Sequence, residues 1–140
     1  MNDSTLETFK AGDLLPQLRL PAITRTRLAL FAGASGDHNP IHIDQDFARR
    51  SGMPDVFAHG MLGMAYLGHL LTHWVPQSSI REFSVRFMAI TDLGDEPILS
   101  GRIIETFEQH GEVCARVEVQ MANQSGHIKI LGNALVGSKS

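Results

Sequence analysis

Apolar residues recur along this chain in two rhythms, and the change from one to the other divides it. From about Gly60 to Trp74 the apolar positions Met61, Leu62, Met64, Ala65, Leu67, Leu70, Leu71 and Trp74 point nearly all round a helix, which must then be covered on most sides. Gly60, Gly63 and Gly68 interrupt that helix. Each costs roughly 1 kcal/mol of propensity relative to alanine, a loss that makes sense where another backbone comes close, and a sheet wrapped around the helix would supply the approach. After Pro76 the period becomes two. Phe83, Val85, Phe87 and Ala89 share one face of a segment from Ile80 to Ile90, with Ser84, Arg86 and Met88 on the other. Residues 98–107 give a second strand, more weakly patterned. Val113 to Met121 alternates cleanly, and Ile128 to Val136 closes the series, with turn chemistry at Gln109-His110-Gly111 and Gln124-Ser125-Gly126 between the runs.

The first third of the chain is less regular. Residues 13–20 read as a short edge strand ending before Pro21. Leu28, Leu30, Phe31 and Ala34 approximate helical spacing after a capping Thr24, with Gly33 and Gly36 loosening the end. The stretch from Gln45 to Gly52 has an acidic start, a basic end and a terminal glycine, which predicts a short helix with Asp44 as its N-cap. Helices first and an antiparallel meander afterwards place the chain in the α+β class.

With 140 residues, 43% apolar and 19% charged, the chain is expected to form one domain spanning residues 1–140. Its net charge of −3 is spread without blocks, so nothing suggests a nucleic-acid footprint and any anionic ligand must be held locally. The longest apolar region, Val56 to Leu71, is broken by His59 and His69 and is shorter than the roughly 18–20 apolar residues of a membrane span. The amino terminus is polar and acidic, unlike a signal peptide. Cys114, the single cysteine, has no partner at disulfide or metal spacing, so a reduced, cytoplasmic protein is expected.

The chemistry concentrates in Ala34-Ser35-Gly36-Asp37-His38-Asn39-Pro40-Ile41-His42-Ile43-Asp44. An acid and an imidazole lie five positions apart around a proline, and an Asp-x-Asn-Pro-x-His segment can fold both side chains toward one point. Further on, Phe57-Ala58-His59-Gly60 opens the long helix, where unpaired backbone N–H groups and the positive end of the helix dipole face the preceding loop. With Val85-Arg86-Phe87 and Gly94-Asp95 in support, these segments resemble the MaoC-like family of hot-dog-fold (R)-specific enoyl-CoA hydratases. The chain departs from that family in Met88-Ala89-Ile90-Thr91, where many members carry Ala-Pro-Val. Where some members have a hydroxyl residue on the central helix near the catalytic loop, the matching stretch Ala65-Tyr66-Leu67-Gly68 offers only Tyr66.

The resemblance implies an antiparallel sheet around a central helix, a homodimer or higher homo-oligomer, and reversible hydration of a trans-2-enoyl-CoA to the (R)-3-hydroxyacyl thioester. It implies no cofactor beyond the coenzyme A of the substrate and no metal. Asp37 and His42 would hold one water and carry the proton traffic. The Gly60 amide would bind the thioester carbonyl, with Asn39 and His59 shaping that oxyanion and substrate-binding region. Met61, Met64, Leu67 and Met88 could line an acyl pocket, though core filling explains them equally well. His69 and His73, four apart on the helix, lack a third metal ligand, and Arg86 reads as an exposed strand residue, an interface ion pair or a phosphate contact. The alternatives are a 3-hydroxyacyl dehydratase acting on acyl-carrier-protein substrates, a hot-dog thioesterase, and a non-catalytic acyl-CoA-binding protein. Neither nucleic acid nor membrane is expected as a partner.

Overall fold

A computed structural model describes residues 4–139, without the side chains of residues 4 and 5. A short helix α1 (Ser4–Thr8) and a two-residue strand β1 (Leu18–Arg19) lead into α2 (Arg25–Ser35). The Thr24 side chain caps α2 by accepting the Arg27 N–H, and Gly36 ends it at φ 78°, a left-handed conformation that glycine adopts without a Cβ clash. Gly36 thus stops the helix cleanly. Leu28 and Ala32 face inward, while Leu30 is 67% exposed, because two residues along a helix is a rotation of roughly 200° from the buried face. A single 3-10 turn (Pro40–His42) and α3 (Gln45–Arg50) follow. Asp44 caps α3 by accepting the Asp46 and Phe47 N–H groups, as its place ahead of the helix predicts.

Next come α4 (Gly60–Trp74) and the strands β2 (Ile80–Phe87), β3 (Ile98–Gln109), β4 (Glu112–Ala122) and β5 (Ile128–Gly137). The five strands form one sheet in the order β1-β3-β4-β5-β2, antiparallel at every pairing. The β3–β4 hairpin turns on His110 at φ 53° and Gly111 at φ 76°, the two positive angles of the tight turn whose twist matches that of paired strands. Alternation puts β2 as far as Ile90, but the strand ends at Phe87. The Met88 and Ala89 N–H groups both turn onto the Lys129 carbonyl, at 2.8 and 3.2 Å, which takes the chain out of the ladder.

Leu67, Leu70, Leu71 and Trp74 of α4 pack on Leu99, Ile103, Val117, Val119, Ile130 and Val136 of the sheet. A second apolar cluster, with Leu28, Ala48, Val56 and Leu62, lies beneath α2 and α3. The glycines of α4 meet side chains of the sheet, not the backbone the sequence led one to expect: a Cβ on Gly63 would sit 2.3 Å from Ile130 Cδ1, whereas at Gly68 the nearest atom is a Phe83 ring carbon at 3.7 Å. Coverage of α4 differs from the expectation. Met61, Ala65, His69 and Thr72 stay exposed, a stripe at helical spacing, because one sheet can cover only one side of a helix. Among the described residues no helix is long and apolar enough to cross a membrane.

Candidate active site

The loop after α2 is built from short-range hydrogen bonds. The Asp37 N–H donates to Ser35 Oγ at 3.1 Å, and the Asn39 N–H donates to Asp37 Oδ1 at 3.2 Å. Asn39 in turn accepts the Ile41 N–H through its side-chain oxygen at 3.0 Å, which starts the 3-10 turn with Pro40 at its first position. All three acceptors are side chains that hydrogen-bond the backbone two residues on; for Asp37 and Asn39 this is the Asx geometry that lets Asp and Asn organise a loop without regular structure. Asn39 braces the loop; Asp37 keeps its carboxylate exposed.

His42 ends that turn, 9% exposed, with Nδ1 2.7 Å from the Phe57 carbonyl. A carbonyl only accepts, so Nδ1 carries the proton and the Nε2 lone pair of the neutral ring is left free. His59, 2% exposed, lies against it with ring centroids 3.9 Å apart and 26° between planes, and it packs with Phe31 in a T-shaped contact with centroids 4.9 Å apart. His59 Nε2 donates to the Asp37 carbonyl at 3.2 Å, leaving Nδ1 buried without a partner. Burial holds the His59 pKa below the ordinary histidine value, and the neighbouring His42 pushes it the same way, so this imidazole is a neutral strut.

Asp37, His42 and His59 each bring one candidate ligand atom within 4.8 Å of the others. The stacked rings argue against chelation, since in-plane lone pairs of nearly parallel imidazoles do not converge on one ion. What the three do form is a cluster that brings a carboxylate and an imidazole within 4.8 Å of each other, next to His59, the residue that precedes α4. Gly60 is the first residue of that helix, and its N–H has no acceptor within it.

Beside Gly60 runs a groove of about 330 Å³ lined by Phe57, Ala58, Gly60, Phe87 and residues 88–91. A Cβ on Gly60 would lie 3.0 Å from the Phe87 ring, so glycine keeps the groove open next to the helix terminus. The four candidate acyl-pocket residues divide. Met88 lines the groove, whereas Leu67 is fully buried in the main core and Met61 is 56% exposed on the open side of α4; neither Met61 nor Met64 borders the groove. Tyr66 is half-buried between the two apolar clusters, and burial raises its phenol pKa. His69 and His73 make a tilted ring contact at 4.5 Å. Arg86 borders a shallow hollow with Ser84, Glu118 and Asn133 instead of the groove. Sequence reasoning missed Phe57, because what matters there is a backbone carbonyl, and no side-chain pattern marks one.

Residues 16–124 match the MaoC like domain. The chain belongs to the MaoC-like domain family. It is 28% identical over 111 residues to an (R)-specific enoyl-CoA hydratase of Aeromonas caviae, covering 78% of this chain and 81% of that protein. It is 30% identical over 117 residues to the fatty acid synthase beta subunit TOXC of Cochliobolus carbonum, covering 78% of this chain but only 5% of that protein. Among solved structures, the unliganded R-hydratase PhaJ1 of Pseudomonas aeruginosa superposes with a TM-score of 0.81 at 25% identity, covering 94% of this chain and 83% of that one. The architecture of this MaoC-like chain is the hot-dog fold, as the Asp37 and His59 motifs imply.

Proposed function

We propose that this MaoC-like protein is a hydro-lyase that adds water reversibly to trans-2-enoyl-CoA, giving the (R)-3-hydroxyacyl thioester. The observation that carries the reading is the convergence of the Asp37 carboxylate and the His42 ring where α4 begins beside the groove. Hydration needs a water deprotonated on one side, a proton returned at the α-carbon, and a carbonyl polarised as enolate charge develops. A water held between Asp37 and His42 Nε2 adds its oxygen to the β-carbon while its proton passes to the pair. The same pair then returns a proton to the α-carbon, so the atoms of one water end up on the product. The Gly60 N–H and the positive end of α4 stabilise the thioester oxygen as charge builds on it. Resemblance to the A. caviae hydratase supports the carrier being coenzyme A.

The reaction in this proposal uses no metal and no redox cofactor, and the protein works as a cytoplasmic homodimer. Support for the dimer comes from β2, an edge strand of the sheet, and from the apolar side chains of Phe87, Met88 and Ile90 at its end, each 42% or more exposed. An exposed edge beside exposed apolar side chains is a surface that a second copy would cover, and sedimentation equilibrium tests this.

The activity test is incubation with crotonyl-CoA and longer enoyl-CoA esters, following loss of the conjugated thioester absorbance. Asp37→Asn and His42→Ala are each expected to lose about 10²-fold or more in kcat, the scale of one positioned proton-transfer group. Wild-type protein inert on short, medium and long chains, or both variants at full rate, would refute the assignment. Faster turnover of acyl-carrier-protein substrates than of CoA esters would move it to the dehydratase alternative.

A further inference from the structure

We infer that the buried Lys129–Asp95 ion pair is a positioning device for the site, holding the groove wall and, through Phe57, the orientation of His42. Gly94-Asp95 helps to carry the family resemblance, yet the proposed chemistry makes no use of it. Lys129 Nζ lies 3.3 Å from Asp95 Oδ2, with the two side chains 8% and 11% exposed. A pair so withdrawn from water is tolerable only if its remaining polar atoms are partnered. Here they are: Asp95 Oδ1 accepts from Asn123 Nδ2 at 3.1 Å, Oδ2 accepts the Asp92 N–H at 2.8 Å, and Lys129 Nζ donates to the Ile90 carbonyl at 2.8 Å.

The ion pair therefore clamps the segment 90–95, whose first residues form a wall of the groove. From that segment two connections run into the site. In one, the Thr91 carbonyl accepts the Ala58 N–H at 2.9 Å and Asp92 pairs with Phe57, whose carbonyl receives the His42 Nδ1 proton. In the other, the Asp95 carbonyl accepts the Ile23 N–H and the Ile23 carbonyl accepts the Gly94 N–H, both at 2.9 Å. Ile23 directly precedes Thr24, the cap of the helix that runs into the Asp37 loop. One turn thus reaches the supports of both proton-handling side chains. Neither Lys129 nor Asp95 touches substrate in this scheme; they act through Phe57 and α2.

Lys129→Met removes the charge and the donor at nearly constant volume, and Lys129→Gln keeps an N–H for the Ile90 carbonyl. The kinetic arm rests on the hydratase proposal: with crotonyl-CoA, kcat is expected to fall by roughly 10- to 100-fold in Lys129→Met, the scale of a displaced catalytic group. KM should change less than kcat, and Lys129→Gln should recover part of the loss. A second arm needs no turnover. The His42 Nδ1 proton, bonded to a carbonyl, gives a slowly exchanging downfield NMR resonance, which Lys129→Met is expected to broaden or abolish while circular dichroism shows a folded protein. A folded Lys129→Met with kcat within about twofold of wild type and an intact His42 resonance overturns the inference. If Lys129→Met does not fold, Lys129→Gln is read by the same two criteria. Wild-type protein inert on every enoyl thioester sinks the hydratase reading instead, and the resonance then decides on the ion pair alone.

Discussion

Alanine at Gly63 and alanine at Gly33 are the same change on two helices, and they should move stability in opposite directions. An alanine Cβ at position 63 would stand 2.3 Å from Ile130 Cδ1 and 3.0 Å from Met121 Cε. Ile130 and Met121 are themselves 2% and 1% exposed, so neither can swing into solvent, and the Ile130 methyl must give by about 1.5 Å to reach ordinary contact near 3.8 Å. Overpacking of that kind costs about 1–3 kcal/mol, against a helix-propensity gain of about 1 kcal/mol for leaving glycine. The net expectation is a loss of about 1 kcal/mol. At Gly33 nothing lies within 4 Å of the added carbon, so only the gain remains, up to about 1 kcal/mol. Urea unfolding of both variants, read with a common m-value, measures the difference. Because Gly63 lies one helical turn beyond Gly60, any retreat of α4 from the sheet also moves the Gly60 N–H, so kcat should drop in Gly63→Ala and not in Gly33→Ala. If both substitutions stabilise the protein equally, α4 does not sit against Ile130 as described and the reasoning fails.

Leu67→Ala should lose about 2–5 kcal/mol of stability, as for any large-to-small change in a closed core, with the ratio of rates on long and short acyl chains unchanged. Normal stability with an altered chain-length profile would return Leu67 to the acyl pocket. Asp44→Ala deprives two N–H groups of α3 of their acceptor and should cost about 1 kcal/mol; an unchanged urea midpoint would contradict the cap. For His59, burial depresses the folded pKa, while the unfolded chain titrates near about 6.5. Above that pH both states are neutral and the contribution to stability is complete. As pH falls below it the unfolded chain takes up a proton that the folded ring refuses, so stability declines toward the folded pKa. Urea midpoints of wild type and His59→Phe at about pH 7.5 and 5.5 should show the steeper decline in wild type, and equal slopes would remove the neutral-strut description.

Elements whose cause is local were legible before any coordinates. The Thr24 and Asp44 caps, the bounds of α4 and the inward row of β4 follow from hydrogen bonds and periodicities that span a few residues. Where the reading went astray, the cause lay further away. β2 stops short of Ile90 because the Lys129 carbonyl draws in two N–H groups, and Leu30 points outward because α2 settles on Leu28 and Ala32.

The candidate site divides along the same line. The sequence, with the family resemblance its motifs carry, names an acid, an imidazole and a helix-starting glycine as candidates for proton transfer and oxyanion binding. Their arrangement came only with the fold. The Asp37–His59 contact joins residues 22 apart, the His42–Phe57 contact residues 15 apart and the Lys129–Ile90 contact residues 39 apart. All three end on a backbone carbonyl, an acceptor every residue type provides. A sequence names side chains, and so it determined which groups could react; which carbonyl each would meet was decided by how the sheet and α4 pack.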